Sequence, residues 1–303
     1  MNSQPPVSTS HPAAIAGIGL MLGGIFLFAL NDALGKWLIA TYSVGQLLLI
    51  RSIAALIVLA PFIWREGCDA FRVPPRPFVQ ILRVVFSTLE VACFYWALAY
   101  LPLADVMTYY LAGPIYVTAI SATLLREPVD WRAWVAVIVG FCGVILALRP
   151  STATLTPAAL VAIAGSFSFS LLMICTRMVH GTSDIVLVTT QTVGALVFGA
   201  VIAPVTWVAL TWRDGALLVL LGIVAMVAHV CVNRSLKLAS ASVVVPYQYT
   251  MIVWAVLLGY LVFGDIPNMA TLVGAAIIIA AGIYIFVREQ KRTHQPVTLV
   301  DPP

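Results

Sequence analysis

Glu90 stands in the middle of an apolar run, twelve residues past Phe78 and nine before Ala99. Its side chain is too short to reach water from that depth, and an ionisable group kept there costs on the order of 2.5–3.5 kcal/mol on insertion scales. Such a carboxyl suits proton coupling or substrate binding; the alternative is a hydrogen-bonded contact between helices. Asp32 and Lys36 lie four apart in another apolar run, acid first, the favourable order for a helical pair. Asn31 and Gly35 sit beside them and Phe28 one turn below Asp32. Together they could bind the ammonium and carboxylate of an amino acid. A self-satisfied pair near the interface, with Lys36 snorkelling, is the plainer reading for the lysine. Arg51 lies seven residues into its run, roughly 10 Å at helical rise. It is either a carboxylate clamp or a side chain long enough to reach the interface. Arg83, five residues inside its run, is expected to snorkel.

His229 and Asn233 share a helix face, four residues apart. No second His stands at ligand spacing, so neither a metal site nor a cofactor is expected. Aromatic residues cluster at Tyr95, Trp96, Tyr109, Tyr110 and Tyr116, and again at Tyr247, Tyr249 and Trp254 with Gln248 between. A cavity lined by them would suit an amphipathic organic substrate; helix packing and interfacial anchoring explain any one of them equally well. Pro114 and Pro246 each remove a backbone donor and can kink a helix, which makes them candidate gating hinges. The small-residue spacings Gly19-x-x-x-Gly23 and Ser166-x-x-x-Ser170 read as close helix packing.

The elements that must position these groups follow from composition. The chain is 62% apolar and 9% charged, with a mean hydropathy of +1.04. It cannot cover itself with polar surface, so lipid is its solvent. A net charge of +4 spread through such a chain is no nucleic-acid signal. The five cysteines form no CxxC and read as buried thiols rather than a disulfide framework. The first dozen residues carry no Lys or Arg, unlike the basic start of a cleavable leader. Ten spans are predicted: 13–36, 44–64, 78–99, 103–125, 131–148, 157–178, 184–206, 213–234, 240–263 and 268–287. With the N-terminus inside, eleven cations fall in inner segments and only Lys36, Arg149 and Arg213 in outer ones. Both termini are therefore expected in the cytoplasm.

The chain is also duplicated. Ala97 to Arg149 recurs in degenerate form as Ser235 to Arg288, each copy with an acid-then-proline turn (Glu127-Pro128; Asp265, Pro267). Gly24 with Phe26 and Phe28 matches Gly165 with Phe167 and Phe169, and a cation follows each Gly by twelve residues (Lys36, Arg177). PFIW at Pro61 matches PVTW at Pro204, and Cys93 matches Cys231, which puts His229 beside the counterpart of Glu90. A repeat unit of five spans forces the second copy to enter the membrane from the opposite side. The fold class expected is all-α integral membrane, ten transmembrane helices as two inverted five-helix repeats. The first repeat covers 13–149 and the second 157–287, with a linker at 150–156 and cytoplasmic tails at 1–12 and 288–303. Inverted repeats of this kind are an architecture of secondary transporters, with substrate near the midplane.

LLREPVDW…GFCGVILAL, VFGDIPN…AAGIYIF and ALNDALGKW resemble the drug/metabolite transporter superfamily, and within it the EamA-type ten-helix carriers. The resemblance spans nearly all of 13–288. It implies gradient-linked or facilitative export of metabolites, amino acids including aromatic ones foremost, across the bacterial inner membrane. It also implies a central cavity lined by spans 1, 3, 4, 6, 8 and 9. The expected partners are a small-molecule substrate, the lipid bilayer and, as coupling ion, protons, with the protein a monomer or homodimer. A carrier of nucleotide-linked or other phosphorylated metabolites is the alternative, though it would need more cavity cations than Arg51 and Lys36 or Arg177. A membrane enzyme or receptor on the same scaffold ranks below both, since G-x-S-x-G, H-E-x-x-H and Walker patterns are missing.

Overall fold

The computed structural model describes residues 11–67, 69–72, 76–113, 116–117, 120, 131–148, 156–179, 181–239, 244, 247–248, 250–264 and 269–293. Among these residues there are helices and turns and no strand. Each predicted run holds a described helix, those at 103–125 and 240–263 only in part: α1 (His11–Ile39), α2 (Val44–Glu66), α3 (Pro77–Leu98), α4 (Leu103–Tyr110), α5 (Trp131–Leu148), α6 (Pro157–Met178), α7 (Asp184–Ile202), α8 (Trp212–Leu238), α9 (Thr250–Leu258) and α10 (Met269–Thr293). One helical turn, Asp69–Arg72, interrupts the loop after α2, and a π turn, Gly259–Phe263, extends α9. Six helices (α1, α2, α3, α6, α7 and α8) are long and apolar enough to cross a hydrocarbon core. Pro114, Pro246 and Tyr249, together with both acid–proline turns, lie outside the described residues.

Hydroxyl caps start the helices where the chain turns. Ser43 Oγ accepts from Gln46 N at the head of α2, and Ser183 Oγ from Ile185 N at the head of α7, both at 3.3 Å. Thr156 and Thr211 do the same for α6 and α8. Each cap meets one of the amide groups that a helix end leaves without a partner.

Neighbours in sequence are not the main neighbours in space. The first helix lies on α8 and α6 lies on α3, while α2 pairs with α7 and α5 with α10. This pattern is unchanged when each helix is exchanged for the one five places along. The closest crossings obey the same rule. A Cβ at Gly24 would sit 3.2 Å from the Cys231 Cβ, and one at Gly165 would sit 2.9 Å from the Cys93 Cβ. The Gly and Cys that matched within the duplicated sequence thus meet crosswise, each copy's glycine receiving the other copy's cysteine. Without a hydrophobic driving force between helices in lipid, such close approach supplies the contact energy. Ser166 and Ser170 are buried and Ser170 Oγ donates to Gly113 O at 3.2 Å, as packing residues should. Gly19 and Gly23 are exposed with nothing against them, so their spacing marks no helix contact among the described residues.

Polar ties hold the two ends of the bundle. At one end Tyr42 Oη donates to Asp214 Oδ2 and Gln46 Nε2 to Val208 O, each at 2.7 Å. At the other, Lys237 pairs with Asp184 at 2.6 Å and Arg76 Nη1 donates to Met178 O at 3.2 Å. Exposed aromatics mark the same levels: Trp37, Trp207 and Trp212 at the first end, Trp64 and Phe78 at the second. That is the placement of interfacial belts.

If the crosswise crossings set the packing, Gly165→Leu should destabilise the protein by about 1–3 kcal/mol through overpacking. Gly19→Leu, on open helix surface, should leave stability unchanged. Thermal unfolding of the two purified variants in detergent is the check; equal midpoints would remove the crossing at Gly165 as a determinant.

Candidate functional site

Between the ends lies a cavity with about 740 Å³ of unfilled space. α1, α2, α3, α4, α6, α8 and α9 wall it, with the turn before α9. Its charged lining is Asp32, Glu90 and Arg51, with His229, Asn31 and Gln248 as further polar groups. Phe28, Phe94, Tyr95, Tyr110 and Phe169 supply aromatic faces, and Ile25, Met107 and Met251 are among the aliphatic ones.

Tyr95 ties the polar groups together. It is fully buried, and its hydroxyl accepts from Asn31 Nδ2 at 2.9 Å and from Arg51 Nη1 at 3.2 Å. The Arg51 guanidinium also lies 5.6 Å from the Tyr95 ring centroid, a cation–π distance. Asn31 Nδ2 reaches Asp32 Oδ1 at 3.3 Å. Two glycines make room for this. Any side chain at Gly35 would fall on the Tyr95 ring, and one at Gly222 on the Arg51 backbone carbonyl. On the other wall, Tyr110 Oη donates to the Glu90 carbonyl at 3.1 Å. His229 meets Phe28 edge to face at 4.8 Å.

Several groups are left with bonding capacity facing the cavity. The Glu90 carboxyl makes no hydrogen bond or ion pair with a described residue, and Asn31 Oδ1 is buried without a partner. Two carboxyls and one guanidinium around an aromatic box can receive a molecule with a carboxylate, an ammonium and an apolar or ring body.

Of the candidates read from the sequence, Asp32, Arg51, Glu90, Tyr95, Tyr110, His229 and Gln248 line this one cavity. Four other candidates do not. Lys36 sits 4.3 Å over the Phe263 ring, towards the end that holds Tyr42. Asn233 is buried one turn beyond His229, Tyr109 packs against the apolar cluster around Leu103 and Met107, and Tyr247 packs against the cluster around Met173 and Val244. Lys36 and Asn233 lie one turn past Asp32 and His229 on the same faces, beyond the cavity lining, and apolar clusters claim Tyr109 and Tyr247. Arg83 corrects its expectation outright. It is 0% exposed and bonded to α6 and α7, so it does not snorkel. Phe94, Phe169, Met107 and Met251 went unnoticed as lining residues. The repeat alone could have flagged Phe169, the counterpart of Phe28.

A family model described as the EamA-like transporter family matches the chain twice, over residues 15–149 and 156–288. The chain belongs to the EamA-like transporter family. Among its curated relatives is the S-adenosylmethionine uptake transporter of Rickettsia felis, 26% identical over 278 residues, covering 91% of this chain and 94% of that one. The riboflavin transporter of Vibrio cholerae serotype O1 is 25% identical, covering 94% and 97%. The pseudopaline exporter CntI of Pseudomonas aeruginosa is 25% identical, covering 88% and 95%. A crystal structure of another protein superposes with a TM-score of 0.69 at 17% identity, over 93% of this chain and 99% of that one. That likeness speaks for the fold. This EamA-like chain is a membrane transporter by family, and its relatives are named for three unlike small molecules.

Tyr95→Phe keeps the ring and deletes the hydroxyl that holds Asn31 and Arg51. Two buried donors lose their acceptor, at about 1–3 kcal/mol in all. The expected result is a rise of about tenfold in KM for whichever substrate is transported, with the protein still folded and its unfolding midpoint lowered by a few degrees. An unchanged KM would mean that the hydroxyl does not set the position of Arg51.

Proposed function

We propose that this protein is a ten-span secondary transporter made of two inverted five-helix repeats, 13–149 and 157–287. It carries zwitterionic amphipathic metabolites, amino acids and their derivatives first, by alternating access across the bacterial inner membrane. Residues 150–156 link the halves, and the tails 1–12 and 288–303 lie in the cytoplasm. The observation that carries this reading is the cavity itself, with Asp32 for an ammonium, Arg51 for a carboxylate, Glu90 for a proton and five aromatic rings for the body. The double family match and the exchangeable helix pairing support the repeat. The eleven-to-three distribution of cations supports the orientation. Names among the relatives favour this class too, S-adenosylmethionine being an amino-acid derivative, and they include both uptake and export. Export is the direction that the sequence led us to expect. Among the described residues the cavity has one cation, Arg51, which is too few for phosphorylated substrates.

In this reading Glu90, whose carboxyl has no fixed partner, carries the coupling proton, and Asp32 with Asn31 takes the substrate's ammonium. Pro114 and Pro246, one in each half, act as the hinges about which the halves move.

The experiment is counterflow of radiolabelled phenylalanine, threonine and S-adenosylmethionine into proteoliposomes preloaded with the same unlabelled compound. Uptake of at least one of the three above empty liposomes is expected. Glu90→Gln should retain counterflow and lose accumulation driven by a pH gradient. Correctly folded protein that moves none of the three overturns the substrate class; a Glu90→Gln variant that still accumulates overturns the coupling role.

A further inference from the structure

Beside the central cavity lies a smaller one, with about 370 Å³ of unfilled space, walled by α2, α3, α7 and α8. Arg51, Val91 and His229 line both chambers and form the partition. The two differ in charge. Asp32 and Glu90 face the central cavity, whereas no carboxylate lines the side chamber among the described residues. Its polar wall is Ser52, Ser87, Gln191 and Thr192, besides Arg51 and His229.

The orientation of Gln191 decides what that wall offers. Its side chain is buried, at 4% exposure, and its Oε1 accepts from Arg83 Nη2 at 2.7 Å. A guanidinium only donates, so the oxygen must face Arg83 and the amide N–H groups must face away. Nε2 is buried with no partner. Orphaned donors at such depth are rare and cost about 1–3 kcal/mol each. Behind Gln191, Arg83 spends its other bonds on neutral acceptors, Thr176 Oγ1 at 3.0 Å and Leu187 O at 2.8 Å. No carboxylate balances it among the described residues. A positive charge therefore stands behind the far wall, and Arg51 stands in the near one. Ser52 and Ser87 make no side-chain hydrogen bond to a described residue, so their O–H groups are free to donate. The Thr192 hydroxyl gives its proton to Val188 O at 2.7 Å and offers only lone pairs.

We propose that this side chamber is an anion site for one carboxylate-sized negative group. Gln191 Nε2, the Ser52 and Ser87 hydroxyls and the Arg51 guanidinium hold it, and Arg83 is a positioning residue that fixes the Gln191 amide. A metal cation is disfavoured by the two guanidiniums that flank the chamber. The anion has two possible sources: the carboxylate of a substrate lying across the partition, or an inorganic ion such as chloride bound with the substrate. The first source rests on the zwitterion reading above; the site itself does not.

The test starts without substrate. The unfolding midpoint of the full-length protein in detergent is followed as formate or chloride replaces gluconate at constant ionic strength. Ligand binding to the native state raises the midpoint in proportion to the logarithm of the anion concentration once that exceeds Kd, and that is the expected result. Gln191→Glu keeps an oxygen on Arg83 and sets a second oxygen where the N–H groups were, so it should fold and lose the anion effect. Should it fail to fold, Ser52→Ala with Ser87→Ala provides the second probe, with the Kd fitted to the midpoint shift expected about fivefold higher from two lost hydrogen bonds. No such shift in the wild type, or an unaltered one in these variants, overturns the proposal. Repeating the titration with phenylalanine or phenethylamine present separates the sources. Competition between anion and phenylalanine alone assigns the chamber to the substrate's carboxylate; binding of both ligands alongside the anion assigns it to an inorganic ion. Should neither ligand bind, phenylalanine is removed as a substrate, and the anion titration is judged by itself.

Discussion

The hydroxyl of Tyr95 is where three helices agree on their positions. It sits on α3, accepts from Asn31 of α1 and Arg51 of α2, and its ring fills the space that Gly35 leaves. Each partner is expensive to bury and would be mis-set without the others. In lipid, apolar contact does not choose one neighbour over another, so hydrogen bonds and close-fitting shapes must do so. The rest of the cavity is arranged about this point. Asp32 follows Asn31, and Glu90 lies more than one turn back along α3 with its carboxyl unclaimed.

That arrangement divides the buried charges into two kinds. Arg83 is closed in by acceptors from two other helices and has no opening to a substrate in the central cavity. Arg51 makes one hydrogen bond, to Tyr95, among the described residues and lines both chambers. The same residue type thus serves as strut in one place and as recognition group in the other. Depth in the membrane does not separate them; the supply of neighbouring acceptors does.

Much of this was legible in the chain. Apolar runs gave the helices, and the recurrence of Gly24, Phe28 and Cys93 as Gly165, Phe169 and Cys231 gave a duplication that reappears as crosswise contact. The cost of burying charge drew Asp32, Arg51, Glu90 and His229 into one list, and they do share a cavity. What escaped was depth and partner choice. Nothing in the spacing says that Lys36, one turn past Asp32 on the same face, lies over Phe263 and outside the cavity lining. Arg83 was misread because Thr176 and Gln191, its acceptors, lie about a hundred residues on, beyond the reach of local pattern. The side chamber escaped altogether, since an orphaned amide shows only when its neighbours are in place.

The crosswise pairing also sets a schedule for biosynthesis. Gly24 leaves the ribosome about 200 residues before Cys231, roughly 10–40 s at ordinary rates of synthesis. During that interval α1 is in the membrane with Asn31 and Asp32 on it and the helix that will cover it unmade. The nascent first half must be held in a provisional state, by lipid headgroups or by the insertion machinery, until the second half arrives to complete it. A protein whose halves finish each other cannot mature one half at a time.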